Sequence, residues 1–503
     1  MSNHVTLRFH LFAFLAGLLT VFGFAPYEIF VAPIVGLTIL FYLWHGSATV
    51  KNNFKLGFSF GLGLYGFGIY WIYISLHEFG GMPWWFAGFC TFCLCAFMAL
   101  FPALVGYFSK RIGWTLWTVP LLWGVSDWVR SWIFTGFPWL TLGYSQVPSS
   151  PLVGFMPMIG VYGVSIIVAL IASLIAYGIT QHTHLRWRLK VAAAISMIII
   201  SGQLLSFVEW TTPFGEPLKV ALLQGNVSQT IKWSPDVASS TINQYLQMVE
   251  QSDAQLIVLP ETALPVIAQQ LDKTVIQRIT QHAQQQQGDA LVGLVQYDAE
   301  NQSYFNSALS FGSAPVQAYS KSHLVPFGEF IPLKAIFGWI YQDWLNIPLS
   351  DLSRGQNHTP MQLAGQQVAV NICYEDVFGE EIIRPLPAAT LLVNMSNDAW
   401  YGKSFAAVQH MQFSQARAIE TGRMMLRSTN TGATAIINQH GIVQSHAPHD
   451  AQITLTGMVQ GYQGSTPYIW WGNRLFIVFS FGFLAWFMLK KYQHKGTESP
   501  KKA

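Results

Sequence analysis

The sequence predicts a polytopic α-helical membrane domain joined to a mixed α/β domain, and three observations carry that prediction. Only 10% of the 503 residues are charged and 51% are hydrophobic, whereas soluble domains carry about 25% charged residues. The scarcity is also local. Glu28 is the one formal charge between Arg8 and Lys51, Glu78 the one between Lys55 and Lys110, and 131–185 has none. Finally, charge returns after Glu216 and vanishes again from Leu475 to Leu489. This pattern reads as a membrane block, a water-soluble domain and one closing span.

A hydrocarbon core about 30 Å thick needs roughly 20 apolar helical residues. Spans are therefore expected near 8–25, 29–46, 54–76, 84–109, 115–132, 159–181, 188–207 and 469–490. The resulting layout is a membrane domain of about seven helices over 1–210, a soluble domain over 217–464, the span 469–490 and a basic tail, 491–503. Asp127 and Arg130 lie inside the fifth span, where an i,i+3 ion pair near an interface is expected. The first span lacks a small-x-small cleavage site and reads as retained.

Basic residues set the orientation. Lys51 and Lys55, Lys110 and Arg111, Arg186, Arg188 and Lys190, and then Lys490, Lys491, Lys495, Lys501 and Lys502 all fall on one face if the N-terminus is cytoplasmic. Seven crossings then put 217–464 on the outer face. The net charge of +3 is a topology signal rather than a nucleic-acid footprint. The aromatic stretches "MPWWF" and "IWW" suit headgroup depth.

Within the soluble part, strands are expected at "LKVALLQGN", "AQLIVLP", "DALVGLVQY", "QQVAVNIC" and "TLLVNMSND". "YFNSALSFG" and "VQAYSKSHL" form a hairpin through Gly312 and Pro315. Helical periodicity covers 240–251 and 274–287, with a further helical stretch before β-like "TLLVNMSND" that breaks at Pro385. Strands alternating with helices, with strand pairs inserted, indicate mixed sheets. No repeat, P-loop, dinucleotide fingerprint or HExxH motif is present, and no cofactor or metal is expected.

Three of the four cysteines, Cys90, Cys93 and Cys95, sit in the apolar fourth span and read as small hydrophobes. Cys373 is the only one in the soluble domain, which rules out a disulfide within it. By position it is either a buried inert thiol or a nucleophile. Glu261, Lys321 and Cys373 each fall at or just past the carboxyl end of a strand, where ligands gather in open α/β sheets. A carboxylate can take a thiol proton, and a fixed ammonium can stabilise the oxyanion formed when sulfur attacks a carbonyl. That combination predicts acyl transfer or amide hydrolysis through a thioester. The acids after the cysteine, Glu375 and Asp376, are expected to keep the resting thiol protonated. His323, His358 and His410 are the available imidazoles for a competing cysteine–histidine layout, but none has the context of one.

"LPETALP", "YSKSHLVPFGEFIPL", "NICYEDVF" and "VNMSNDAWYG", in that order, resemble the nitrilase (carbon–nitrogen hydrolase) superfamily, whose fold is an αββα sandwich with a Glu-Lys-Cys triad. With the membrane block, "GFPWLTLGYSQ", "IKWSP", "RAIETGRMMLRSTNTG" and "TPYIWWGNR", the chain is similar to the membrane-bound apolipoprotein N-acyltransferase branch. The resemblance implies an inner-membrane enzyme facing the periplasm. Cys373 would take an acyl chain from a phospholipid, usually phosphatidylethanolamine, and pass it to the N-terminal diacylglyceryl-cysteine of an apolipoprotein. It also implies Glu261 as general base, Lys321 as oxyanion stabiliser, and Glu329, Tyr374 and Glu375 in support. Trp233 is implied near the substrate, with Phe137 and Trp139 in a loop that either forms the acyl entrance or simply packs. Leu259 departs from the Trp that many relatives carry before "PE". A membrane-tethered amidase using the same triad is the alternative, and a monomer is expected.

Overall fold

In a computed structural model, residues 3–113, 116–180, 185–334, 338 and 351–496 are described. The expected basic tail lies outside the described residues from 497 onward, Lys501 and Lys502 included. The chain divides into two units, one of 1–70, 88–208 and 470–503, the other of 71–87 and 209–469.

The first unit is helical. Trp84–Ile112, Pro151–Thr180 and Leu185–Leu205 are each long and apolar enough to cross a membrane, while Leu7–Val21 and Ala32–Gly46 are shorter apolar helices. In the fifth expected span the helix is Thr118–Arg130, 13 residues, or about 20 Å at 1.5 Å per residue. Close helix approach is built on glycine, as is usual between apolar helices. A Cβ on Gly17 would fall 1.9 Å from the Phe60 carbonyl oxygen, and one on Gly63 2.0 Å from that of Phe14. Leu185–Leu205 buries only Gly202 and leaves Met197, Ile200 and Leu204 more than half exposed. An apolar helix bare on nearly every side is stable in lipid, not in water.

The Asp127–Arg130 pair forms at 2.9 Å, but both side chains are buried rather than solvated. Arg130 also donates to Thr141 Oγ1 at 2.9 Å and to the Trp139 carbonyl, and the backbone N–H of Leu142 reaches Asp127 at 3.4 Å. The pair therefore organises the "GFPW" loop. Cys95 is buried, Cys90 half-buried and Cys93 exposed, none in a disulfide.

The second unit holds two six-stranded sheets. One contains β1 (Thr211–Gln224), β2 (Leu256–Val258), β3 (Asp289–Asp298), β4 (Ser303–Gly312) and β5 (Ala318–Ser320) in that order, with β12 (Ile453–Gly464) beside β1. The other runs from β6 (Met361–Leu363) through β7 (Gln366–Ile372), β8 (Leu391–Ser396), β9 (Met425–Thr429) and β10 (Ala435–Ile437) to β11 (Val443–His446). Both mix parallel and antiparallel pairs. Burial shows how they stack. Leu218, Val220, Leu222 and Val258 from the first sheet meet Val368, Val370, Ile372 and Leu426 from the second in one core. The opposite residues of the first sheet pack on helices Pro235–Glu250 and Lys273–Gln285. Those of the second pack on helix Ala406–Thr421 and the short helix Gly379–Ile382. Alternation along each strand thus yields four layers, α–β–β–α.

Candidate active site

Cys373 follows the last residue of β7. Inward-facing Val368, Val370 and Ile372 anchor that strand between the sheets, and at Cys373 the backbone breaks into a tight turn, Cys373–Val377, with φ of 53°. A non-glycine residue in this region costs about 1–3 kcal/mol and persists only where its surroundings hold it. Here the Cys373 carbonyl accepts from Asn394 Nδ2 at 3.0 Å and faces His410 Nε2 at 3.2 Å. The thiol is buried. Burial first, then the Glu261 carboxylate, push it well above the ordinary thiol range, against Lys321 and a hydrogen bond with Ser396. It rests protonated.

Glu261 lies three residues past β2, and Lys321 directly follows β5. The β4–β5 hairpin forms with Ala308 opposite Tyr319, but only 318–320 is strand. The chain then leaves the sheet, its Lys321 N–H fixed on the Asn306 carbonyl at 2.8 Å. Lys321 Nζ stands 2.9 Å from Glu329 and 3.6 Å from Glu261. Asn306 Nδ2 donates to both carboxylates, at 2.7 Å to Glu261 and 3.2 Å to Glu329. Burial alone would lower the Lys321 ammonium, but Glu329 and Glu261 outweigh it and hold the group above the usual lysine range. The structure brings Glu261, Lys321, Glu329 and Cys373 together at the strand ends of two sheets.

Glu375 does not face the thiol. Its carboxylate accepts from the backbone N–H groups of Ile372, Ser322 and His323 at 2.7, 2.6 and 3.0 Å, and from the hydroxyls of Tyr319 and Ser322. It ties the turn carrying the cysteine to the loop carrying Lys321. Tyr374 packs edge-on against His323 and Phe378. Asp376 turns the other way, to Arg427 at 3.1 Å and His410 Nε2 at 3.0 Å. Asp398 takes the far sides of both, at 3.0 Å from His410 Nδ1 and 3.1 Å from Arg427. The expectation that Glu375 and Asp376 keep the thiol protonated is thereby corrected. Both engage partners elsewhere, and burial with Glu261 does that work.

Asn306, Lys232, Asn394, Asp398, His410 and Arg427 were not assigned roles from sequence. One signal was available: Asn306, Asn394 and Arg427 are large polar side chains inside strands whose apolar residues mark them as buried. Trp233 is half-exposed. Phe137 and Trp139 lie in the first unit, stacked at 5.8 Å with Trp139 buried, so that loop is packed. The segment 71–87, expected as the end of one span, a turn and the start of the next, belongs to the second unit. There Ser75 Oγ donates to the Trp400 carbonyl at 2.7 Å and Trp71 stands edge-on to Tyr401.

Residues 16–174 match the apolipoprotein N-acyltransferase N-terminal domain, and residues 219–468 match the carbon–nitrogen hydrolase domain. The apolipoprotein N-acyltransferase of Nitrosomonas europaea is 47% identical over 92% of this chain and 93% of its own. Those of Chromobacterium violaceum and Methylococcus capsulatus are 42% and 40% identical, each over 92% of this chain and 90% and 92% of their own. With apolar helices in one unit and this four-layered sandwich in the other, the chain belongs to the membrane-bound apolipoprotein N-acyltransferase family of the carbon–nitrogen hydrolase superfamily.

Proposed function

We propose that this protein transfers an acyl chain from a membrane phospholipid, such as phosphatidylethanolamine, to the α-amino group of a diacylglyceryl-cysteine at the N-terminus of an apolipoprotein. The reaction takes place at the periplasmic face of the inner membrane. The observation that carries the reading is the cluster in which Lys321 lies within 3.6 Å of Glu261 and 2.9 Å of Glu329 beside a buried, protonated, backbone-strained cysteine.

In the first half-reaction Glu261 takes the Cys373 proton as sulfur attacks the ester carbonyl carbon. The oxyanion is stabilised by the Lys321 ammonium, a group fixed before reaction and shielded from water, where such charges act most strongly. Collapse breaks the ester C–O bond. The leaving lysophospholipid oxygen takes the proton from Glu261, and a thioester remains. In the second half-reaction the neutral amine attacks the thioester carbonyl, Glu261 receives the amine proton, and the C–S bond breaks to give an amide. The proton then returns to sulfur. Glu329 keeps Lys321 charged and aimed.

Large apolar side chains stand more than two-fifths exposed on the segments that carry the charged groups around Cys373: Trp233 next to Lys232, Phe327 near Glu329, and Trp400 near Asp398. Exposed apolar surface beside a catalytic centre suits a lipid substrate. The test is intact-mass analysis after incubation with phospholipid and no acceptor. A hydroxylamine-labile acyl adduct on Cys373, absent in Cys373→Ala, is expected. No adduct, with hydrolysis of a small amide instead, would replace transfer by amidase chemistry.

A further inference from the structure

The segment 231–233 inverts the usual order of burial. Ile231 is 51% exposed and Trp233 50%, yet Lys232 between them is 1% exposed. Lysine is among the residues least often buried without a partner, so the inward turn needs a reason. Lys232 Nζ donates to Thr262 Oγ1 at 3.0 Å, on the residue after Glu261. Thr262 has φ of 44°, and the turn is pinched from its other side by β3. A Cβ on Gly293 would fall 2.2 Å from the Pro260 carbonyl and 3.0 Å from Glu261 Cα.

The charge balance of the centre gives the reason. Glu261, Glu329 and Lys321 alone leave one uncompensated negative charge in a buried cluster, and the reaction moves that charge from Glu261 to sulfur and then to the oxyanion without removing it. Buried charge without a counter-charge is heavily penalised. We propose that Lys232 is a positioning residue of the acyl transfer, the fourth charge of the centre, whose buried ammonium neutralises this cluster and fixes the Glu261–Thr262 turn. The inference rests on the function proposed above.

This role has its own pH signature. Burial lowers the Lys232 ammonium to about 8, with Glu261 opposing the shift. Lys232 faces the Thr262 hydroxyl and Glu261, and Glu261 in turn faces Asn306, Lys321, Cys373 and Tyr401. Lys321, Cys373 and Tyr401 are all pushed upward, so none of them loses its proton near pH 8. Above that pH the fourth charge disappears.

The experiment is single-turnover thioester formation on Cys373 from phospholipid, without amine acceptor, between pH 6 and 10. The wild-type rate is expected to fall above about pH 8, although higher pH favours every simple thiol reaction. Lys232→Arg should retain the rate at pH 7 and carry the fall beyond pH 10. Lys232→Met should be slower by roughly 10²-fold at pH 7, the scale of losing one preorganised electrostatic group, and should show no fall. A wild-type rate that keeps rising to pH 10 overturns the inference, as does a fall unmoved in both variants. Variants that only melt at lower temperature, with an unchanged pH profile, would mark Lys232 as structural and overturn it too. Absence of thioester in the wild type would instead remove the acyl-transfer reading, and this inference with it.

Discussion

Cys373 is flanked by two buried ionic clusters of the same composition and opposite character. On one side stand Glu261, Glu329, Lys321 and Lys232, and on the other Asp376, Asp398, Arg427 and His410. Each has two acids and two bases. In the second cluster all four side chains are 0% exposed, and guanidinium and imidazole bridge the same two carboxylates at 3.0–3.1 Å. In the first, Glu261 and Glu329 keep 10% and 13% exposure and the cations are flexible amines. A guanidinium is a planar fork that stays charged, whereas a buried amine changes its proton readily. The difference teaches a division of labour. The closed cluster holds the Cys373 carbonyl and the strained turn in place, and the open one holds the groups that exchange protons in the proposed reaction.

The largest effects separate the two clusters by readout. Cys373→Ala removes activity altogether. Glu261→Gln and Lys321→Met should each slow thioester formation by about 10³-fold, as general-base and oxyanion groups do. The apparent melting temperature in detergent should stay close to that of the wild type for Glu261→Gln, and should fall for Lys321→Met by less than for Arg427→Met, since Glu261 and Glu329 keep 10% and 13% exposure. Arg427→Met does the reverse. It leaves Asp376 and Asp398 with His410 as their single cationic partner among the described residues in a fully buried site, and removing one partner of a buried ion pair costs about 3–5 kcal/mol. The expected outcome is a melting temperature lower by many degrees, with loss of activity following loss of fold. If Arg427→Met melted normally but failed to acylate, the division of labour would be wrong.

The contrast also explains what could be read from sequence. Glu261, Lys321 and Cys373 were legible because each sits at or just past a strand end, and strand ends follow from alternation and turn residues; Glu329, in the turn beyond β5, was legible only through the family motif that carries it. The two sheets and most of their strands were legible for the same reason. The closed cluster was not, since Asp398, His410 and Arg427 come from three separate segments brought together by the packing of β8, β9 and helix Ala406–Thr421. Sequence spacing carries no record of that convergence. Lys232 was hidden differently: one charged residue between Ile231 and Trp233 reads as the solvated member of the three, and the fold buries that one. Hydropathy reads 71–87 as the end of one span, a turn and the start of the next, yet its hydrogen bond to Trp400 and ring contact with Tyr401 place it in the sandwich unit.

Asn306 sharpens the comparison at a smaller scale. Its amide is, among the described residues, the one neutral donor shared by Glu261 and Glu329. Asn306→Ala deprives each carboxylate of a bond that, to a charged group, contributes about 1.5–3 kcal/mol. Lys321 remains, so activity should fall by roughly 10–100-fold with a modest loss in melting temperature. A loss as deep as that of Lys321→Met would mean that Asn306 touches the reacting carbonyl itself.

The smallest effect is a slope, and its sign differs between the clusters. Each group contributes at most about 1.4 kcal/mol per pH unit. Burial and Arg427 act to lower His410, but Asp376 and Asp398 outweigh them and hold it above the ordinary imidazole range. A base raised on folding gives stability that is complete below its unfolded value, about 6.5, and is lost as pH climbs through the folded value. Lys232 is lowered from 10.5 to about 8. Between those two values the unfolded chain binds the extra proton, so stability rises with pH. Apparent melting temperature measured from pH 6.5 to 10.5 should therefore contain a fall from the closed cluster and a rise from the open one. His410→Asn should leave the rise alone, and Lys232→Met should leave the fall. Both slopes vanishing in one variant would show that the clusters titrate as a single unit through Cys373, and the comparison would have to be redrawn with the cysteine as their link rather than their boundary.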